Sequence, residues 1–239
     1  MNTIFVKEVE STNLYAKSHI EDFADRTVLH ALSQTAGRGR MQRKWVDFGH
    51  GNLFMSLILK PSENFDCKYS NLTQYLSIVL CKILEEYGLT PQIKWPNDVL
   101  INGKKIAGIL AETVISGNKL KGLVIGLGVN LVATQAQVDS VPDKIVTSLN
   151  LEIGRVVPLQ DFLYKVCGEF FLRYDEFLEK GYPLIKEDYL KRACFLGKEI
   201  RVKVFNKEKH GLAKSVTDNG ELILTADNKD VVLSIGDIL

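Results

Sequence analysis

The sequence predicts an α+β fold with a small all-β module at its C-terminal end. Apolar, β-branched segments of strand length recur from Thr3 to Leu131 and finish in a hairpin meander. Two long stretches, Tyr69–Tyr87 and Pro158–Gly181, carry apolar residues at helical spacing. From Ala193 the chain changes to short strands separated by turn residues. The implied division is a main domain over 1–192 and a module over 193–239. The module is too short to be comfortable alone and is expected to pack on the main domain.

Each element has a local reason. Thr3–Val9 is short and β-branched, which suits a strand, and Ser11-Thr12-Asn13 offers an N-cap for a helix over LYAKSHI. Thr27–Ser33 reads as a buried strand, and Asn52–Lys60 as a second one stopped by Pro61. In Tyr69–Tyr87 the apolar positions Leu72, Leu76, Val79, Ile83 and Tyr87 line one helical face, with Gly88 and Pro91 as the stop. Asn102-Gly103 is a type I′ hairpin signal between strands Asp98–Ile101 and Lys104–Ile115. A second turn at Ser116–Asn118 leads into strand Lys119–Leu131, and the polar stretch Ala133–Lys144 reads as a mobile loop. Pro158 opens an amphipathic helix with Phe162, Val166, Phe170, Tyr174 and Phe177 on one face, ending near Gly181. Pro183–Arg192 is a shorter helix. In the module, Glu199–Phe205, His210–Val216, Leu222–Thr225 and Val231–Ser234 are strands, with Asn206–Lys209, Asp218–Gly220 and Asp227–Asp230 as turns.

Bulk composition excludes several function classes. At 239 residues, 46% hydrophobic and 25% charged, the chain is an ordinary globular protein. A net charge of +1 exerts no global pull on nucleic acid or membrane, so neither is an expected partner. No signal peptide is evident, and no apolar run approaches the about 20 residues of a membrane span. The four cysteines (Cys67, Cys81, Cys167, Cys194) are scattered without a C-x-x-C pair, and the only histidines are His19, His30, His50 and His210. A zinc centre is not expected, and the cytoplasm is the expected compartment.

Two cationic segments carry the chemistry. In Gln34–Trp45 (QTAGRGRMQRKW), glycines bracket Arg38 and Arg40 follows. Guanidinium groups bind carboxylates and phosphates bidentately, so an anion would order such a loop, although a solvated basic turn has the same composition. In Lys94–Leu110 (KWPNDVLINGKKIAGIL), Pro96 ends a strand. Asn97-Asp98 suits an Asx turn that points two polar groups into a cleft. Strict alternation sets Lys105, Ala107 and Ile109 on one sheet face and Lys104, Ile106 and Gly108 on the other. A lysine on a buried face costs several kcal/mol unless an anion pairs with it; the alternative is an exposed hairpin end. Gly126–Asn130 (GLGVN) ends a strand whose glycines admit close approach, but it lacks the third glycine and the following helix of a dinucleotide fingerprint.

In this order, STN, QTAGRGR..RKW, KWPNDVLINGKKIAGIL and GLGVN closely resemble the biotin–protein ligase family. The resemblance implies a catalytic domain like that of class II aminoacyl-tRNA synthetases, a mixed sheet with flanking helices, plus a C-terminal SH3-like barrel. It implies ATP, magnesium and biotin as reactants and cofactors, with biotinyl-5′-AMP as intermediate. The implied acceptor is a lysine of a biotin carboxyl carrier domain of acetyl-CoA carboxylase. By the same resemblance, Ser11, Thr12 and Gln34 contact the biotin ring, and Gly37, Arg38, Gly39 and Arg40 close over biotin and adenylate. Lys105 meets the biotin carboxylate and the α-phosphate. Arg43, Trp45, Asn97, Asp98, Gly126, Gly128 and Asn130 surround ATP, and Asp98 is also the candidate to orient or deprotonate the acceptor lysine. Met41-Gln42 stand where many members carry a basic residue and a glycine. No tryptophan follows Asn130, where some members place one over adenine; Val132 or Val138 are the substitutes to look for. With STN beginning at residue 11, the form expected is the monofunctional one, without a DNA-binding domain. A homodimer through Lys104–Val114 stays open. The rival readings are a lipoate–protein ligase, a non-catalytic carrier-protein or nucleic-acid binding module, and an inactive homologue.

Overall fold

The central strand is apolar from end to end because both of its faces are covered. This strand, β3 below, is buried at every residue of its LFMSLIL run, as strands inside two-sided sheets are. The structure is a computed structural model and describes residues 2–61, 67–142 and 145–239. Seven strands form the main sheet: β1 (Asn2–Val9), β2 (Thr27–Gln34), β3 (Leu53–Leu59), β4 (Pro91–Lys94), β5 (Asp98–Ile101), β6 (Lys104–Ser116) and β7 (Lys119–Val129). Their spatial order is β1-β2-β3-β7-β6-β5-β4. Only β1 and β2 run parallel, joined by helix α1 (Thr12–Ser18). The other pairings are antiparallel. Asn102 and Gly103 both take positive φ (50° and 77°), as a type I′ turn requires. Strand β5 covers β6 only from Lys104 to Ala107, so beyond that point the far side of β6 has no strand partner among the described residues.

The two faces of the sheet differ. Alternate residues of β3 and β7 (Leu53, Met55, Leu57; Leu123, Ile125, Leu127) enter a large core beneath α3 (Leu72–Glu86) and α6 (Leu159–Leu172). The opposite face takes a smaller apolar cluster under α1, with Ala16, Ile20, Leu29, Ile58 and Val124. The remainder of that face carries Gly108, Leu110, Gly126 and Gly128, and stays open. The other helices are α2 (Cys67–Ser70), α4 (Gln135–Asp139), α5 (Leu149–Ile153), α7 (Tyr174–Lys180) and α8 (Lys186–Arg192). A second, antiparallel sheet comprises β8 (Glu199–Val204), β9 (Lys207–Val216), β10 (Leu222–Ala226), β11 (Lys229–Leu233) and β12 (Asp237–Ile238), in the order β11-β10-β9-β8-β12.

Several expectations are corrected. Ala133–Lys144 is not wholly loop: Thr134 and Gln137 form a reciprocal capping box that starts α4, while 143–144 lie outside the described residues. The helix expected over 158–181 breaks at Arg173 (φ −121°, ψ 14°) into α6 and α7. The break stacks Tyr174 on Phe170 and Phe177 on Tyr75, with ring centroids 5.4 and 4.7 Å apart. Pro183 lies in a 3₁₀ turn before α8 rather than in the helix. The turn expected at Asn206–Lys209 is tighter and earlier. Phe205 takes the left-handed conformation and β9 begins at Lys207.

Candidate active site

The open face forms the floor of a cavity of about 650 Å³. Helix α1 closes one end. Ser11 caps it, accepting from the Leu14 N–H at 3.5 Å. Asn13 is buried and crosses three strands. Its amide nitrogen donates to the Leu110 carbonyl and to Glu112 Oε2, both at 3.0 Å, and its oxygen accepts from Ser56 at 2.7 Å. Lys17, one turn on, pairs with the same Glu112 at 2.6 Å. Gly126 makes room for this amide, since a Cβ there would stand 2.3 Å from Asn13 Oδ1. Gln34 is tied to the start of α1: its amide oxygen accepts from the Thr12 N–H at 2.8 Å and from the Thr12 hydroxyl at 3.2 Å. That leaves the Gln34 NH₂ as a donor at the cavity wall.

The glycine–arginine segment folds back on itself as a roof. Gly39 N–H donates to the Arg43 carbonyl (2.7 Å), Trp45 N–H to the Gly37 carbonyl (3.0 Å), and Arg38 bridges Lys44. Gly37 fits tightly here, since a Cβ would meet the Trp45 carbonyl at 3.0 Å. The Trp45 ring lies over the floor. Cβ atoms on Gly128 and Gly108 would come within 2.6 and 2.8 Å of it. The floor glycines therefore admit the protein's own Trp45 and Asn13. Gly126 and Gly128, expected to let a nucleotide approach, also line the cavity.

Lys105 reaches this floor through a β-bulge. Val99 pairs with Ala107 but Leu100 with Lys105, so Ile106 is an extra residue. The face assignment by strict alternation is overturned: Lys105 shares the side of Gly108, whose Cβ would lie 3.1 Å from its Nζ. Ile106, on the other side, is fully buried in the core. The ammonium donates to Asp98 Oδ1 at 2.7 Å and sits 5.5 Å from the Trp45 ring centroid. Both partners of this ion pair are about a quarter to a third exposed (26% and 30%), so it orients the lysine more than it stabilises the fold.

A model of the biotin/lipoate A/B protein ligase family matches residues 5–130. The chain belongs to this family. The bifunctional ligase/repressor BirA of Bacillus subtilis is 34% identical over 202 residues, which are 83% of this chain and 61% of that protein. The chain therefore spans about three fifths of the length of that relative. The biotin–[acetyl-CoA-carboxylase] ligase of Paracoccus denitrificans is 33% identical over 227 residues, 90% of each chain. A solved structure of the biotin protein ligase from Aquifex aeolicus, in complex with biotin and ATP, matches with a TM-score of 0.80 and 27% identity over 100% of this chain and 97% of that one. The mixed seven-stranded sheet with flanking helices and the separate small β-sheet are the biotin protein ligase fold.

Within this ligase-family site, Ser11, Thr12, Gln34, Arg38, Arg40, Arg43, Trp45, Asp98, Lys105, Gly126 and Gly128 all line the one cavity. Gly37, Asn97 and Asn130 do not. Asn97 is buried, donates to the Ile109 carbonyl at 2.8 Å and accepts from Arg40 at 3.4 Å. Of the two polar groups expected to point into the cleft, only Asp98 does. Asn130 is also buried, donating to the Thr147 carbonyl at 3.0 Å. Val132 and Val138 stand outside the lining of this cavity, and Val138 borders a smaller one beside it. Asn13, Lys94 and Asp237 are among the lining residues that sequence reasoning missed. Asn13 was hidden inside a motif that capping explains. Lys94 is the first residue of KWPND, at the end of β4, and lines the cavity. Asp237 lies on β12, a strand two residues long with no periodicity to reveal it. Its carboxylate stands 3.1 Å from Arg40 Nε and 3.4 Å from an Arg43 terminal nitrogen.

Proposed function

We propose that this chain is an ATP-dependent biotin–protein ligase that makes biotinyl-5′-AMP and transfers the biotinyl group to a lysine of a biotin carboxyl carrier domain, that of acetyl-CoA carboxylase or a related carboxylase. The observation that carries this reading is the convergence of Lys105, Arg38, Arg40 and Arg43 on one glycine-floored cavity. With Lys44 and Lys94 also in the lining, cations crowd a half-apolar cavity and suit two anions that must meet, a carboxylate and a triphosphate. In the first half-reaction a biotin carboxylate oxygen bonds to the α-phosphorus, the bond from that phosphorus to the β-phosphate bridge breaks, and pyrophosphate leaves. In the second, the acceptor amine gives up a proton and attacks the acyl carbon, and AMP leaves. The protein supplies positioning and charge.

Lys105 takes the carboxylate and α-phosphate, with Asp98 orienting its ammonium. Ser11, Thr12 and Gln34 face the polar atoms of the biotin ring, Leu110 its apolar body, and Trp45 the nucleotide. Arg38, Arg40 and Arg43 take the phosphates, and the folded roof keeps water from the mixed anhydride. Asn97 and Asn130 brace the walls. Among the described residues no three His, Cys, Asp or Glu side chains converge. Magnesium would enter with the phosphate oxygens, a mode that ion favours, and would offset triphosphate charge. A homodimer along the open side of β6 and a cytoplasmic location belong to the same reading; no helix among the described residues is long and apolar enough to cross a membrane.

The test is pyrophosphate release from ATP and magnesium with biotin, run beside lipoate. Release with biotin alone is the expected result. Release with lipoate alone assigns the chain to the other branch of its family, and release with neither sinks the ligase reading. Transfer to a carrier domain is then read by mass.

A further inference from the structure

The second sheet reaches into the cavity, and the way it does so assigns it a part in nucleotide binding. Strand β12 pairs with β8 and sets Asp237 in the cavity wall, buried. The turn before it is shaped by Gly236, whose φ of +147° and 2.9 Å clearance from Val202 exclude a side chain. Arg40 is gripped from three directions. Its Nε faces Asp237 at 3.1 Å, one terminal nitrogen donates to the Gly236 carbonyl at 2.8 Å, and the other to Asn97 at 3.4 Å. Of the five N–H groups of a guanidinium, those given to Gly236 and Asn97 are the two that donate hydrogen bonds, and the others are left for Asp237 and a ligand. The second oxygen of Asp237 has no hydrogen-bond partner, and its ion-pair contact is Arg43 at 3.4 Å.

We propose that Asp237 is the positioning residue of the phosphate clamp: one buried carboxylate of the second sheet holds Arg40 and Arg43 of the roof together before a nucleotide arrives. This rests on the ligase reading above. Arg38, Arg40, Arg43 and Lys44 crowd one short segment, and like charges there repel. A carboxylate between two of them offsets that repulsion while leaving N–H groups directed at the cavity. Were Asp237 only a competitor for the arginines, phosphate would have to strip both from it and leave a buried carboxylate unpaired, which is the more costly arrangement.

The measurement is direct binding of a non-hydrolysable ATP analogue and of biotin, by calorimetry, with trypsin cleavage within Arg38–Lys44 followed in parallel. In D237N the analogue should bind about tenfold more weakly and the biotin affinity should stay within about twofold. Cleavage in the roof should quicken, and D237E should restore most of both properties. D237S must give the same split, and this second variant serves if D237N fails to fold. Analogue affinity unchanged or improved, or roof cleavage at the parent rate, overturns the proposal. A parent protein that binds no nucleotide would sink the ligase reading instead, and the trypsin arm would still decide whether Asp237 holds the roof.

Discussion

Lys105 and Asp98 make the residue-scale case. Replacing Lys105 with Ala removes the ammonium above Gly108 and should lower biotin-dependent pyrophosphate release by at least about a hundredfold. The melting temperature should hardly move, because a partly exposed ion pair contributes about 0–1 kcal/mol. Parent-level release from a folded Lys105→Ala protein would remove it from the mechanism. Asp98→Asn should slow adenylate formation by misplacing Lys105. If it instead spared adenylation and slowed only transfer from preformed adenylate, Asp98 would be the base for the acceptor lysine. Gly126→Ala acts differently. Its new methyl would stand against Asn13 and break amide contacts to β3 and β6. Each buried partner left unsatisfied costs about 1–3 kcal/mol, so denaturation should show a loss of that order while Gly168→Ala, in α6 beside open space and without a positive φ, shows none. His30 bears on acid stability. It is buried, its Nδ1 has no partner, and burial lowers its pKa. Below the usual value of about 6.5 the unfolded chain binds a proton that the folded one refuses, so stability falls as pH drops. The loss levels off once the folded-state pKa is passed. His30→Phe should flatten that part of the pH–melting curve; an unchanged slope would mean that other groups dominate it.

At the scale of elements, the roof segment decides how well the intermediate is kept. Arg40→Gly removes the contacts to Asn97, Gly236 and Asp237 together, so biotinyl-5′-AMP should escape to bulk. Rapid filtration after adenylation should recover less intermediate on this variant, and retention equal to the parent would contradict the lid role. Elements were legible in the sequence where the signal is local. Asn102-Gly103 announces its turn, Ser11 its cap, and the Leu72–Ile83 periodicity its helix. Helix α4 was also locally signalled, by Thr134 and Gln137 three apart, but the polar composition around them reads as loop. Strand β12 could not be read, because its partner β8 is far away in sequence. The bulge at Ile106 defeats alternation by one residue, enough to move Lys105 across the sheet. The site motifs were legible as motifs. That Gly126 and Gly128 admit Asn13 and Trp45 depends on which chains pass over them, and no residue spacing encodes that.

On the scale of the whole molecule, both sheets share one core. Val202, Ala213, Leu222, Leu224, Leu233 and Ile238 of the second sheet belong to the cluster that includes α3 and α6. The turn at Gly220 is the polar part of the seam. Its carbonyl accepts from Gln74 at 2.9 Å and Trp95 at 3.3 Å, and the neighbouring Asn219 carbonyl accepts from Asn71 at 2.8 Å. Gln74 lies in α3, Asn71 stands at the N-cap of that helix and Trp95 directly follows β4, and all three are buried. The second sheet should therefore not melt on its own. Urea unfolding followed by far-ultraviolet dichroism and by Trp95 emission, in a Trp45→Phe background, should give coincident transitions. Gly220 has φ of +78°, and a Cβ there would lie 2.4 Å from the Asn71 amide and 2.5 Å from that of Gln74. Strain and displaced hydrogen bonds together should make Gly220→Ala less stable by about 2–4 kcal/mol. The midpoint should fall with the slope unchanged, since the same surface is exposed on unfolding. Two separated transitions in the parent would show that the seam is too weak to couple the sheets. In that case Asp237 would ride on an independently mobile unit and could not hold the roof in register, so the unfolding curve bears on the nucleotide site as much as on the fold.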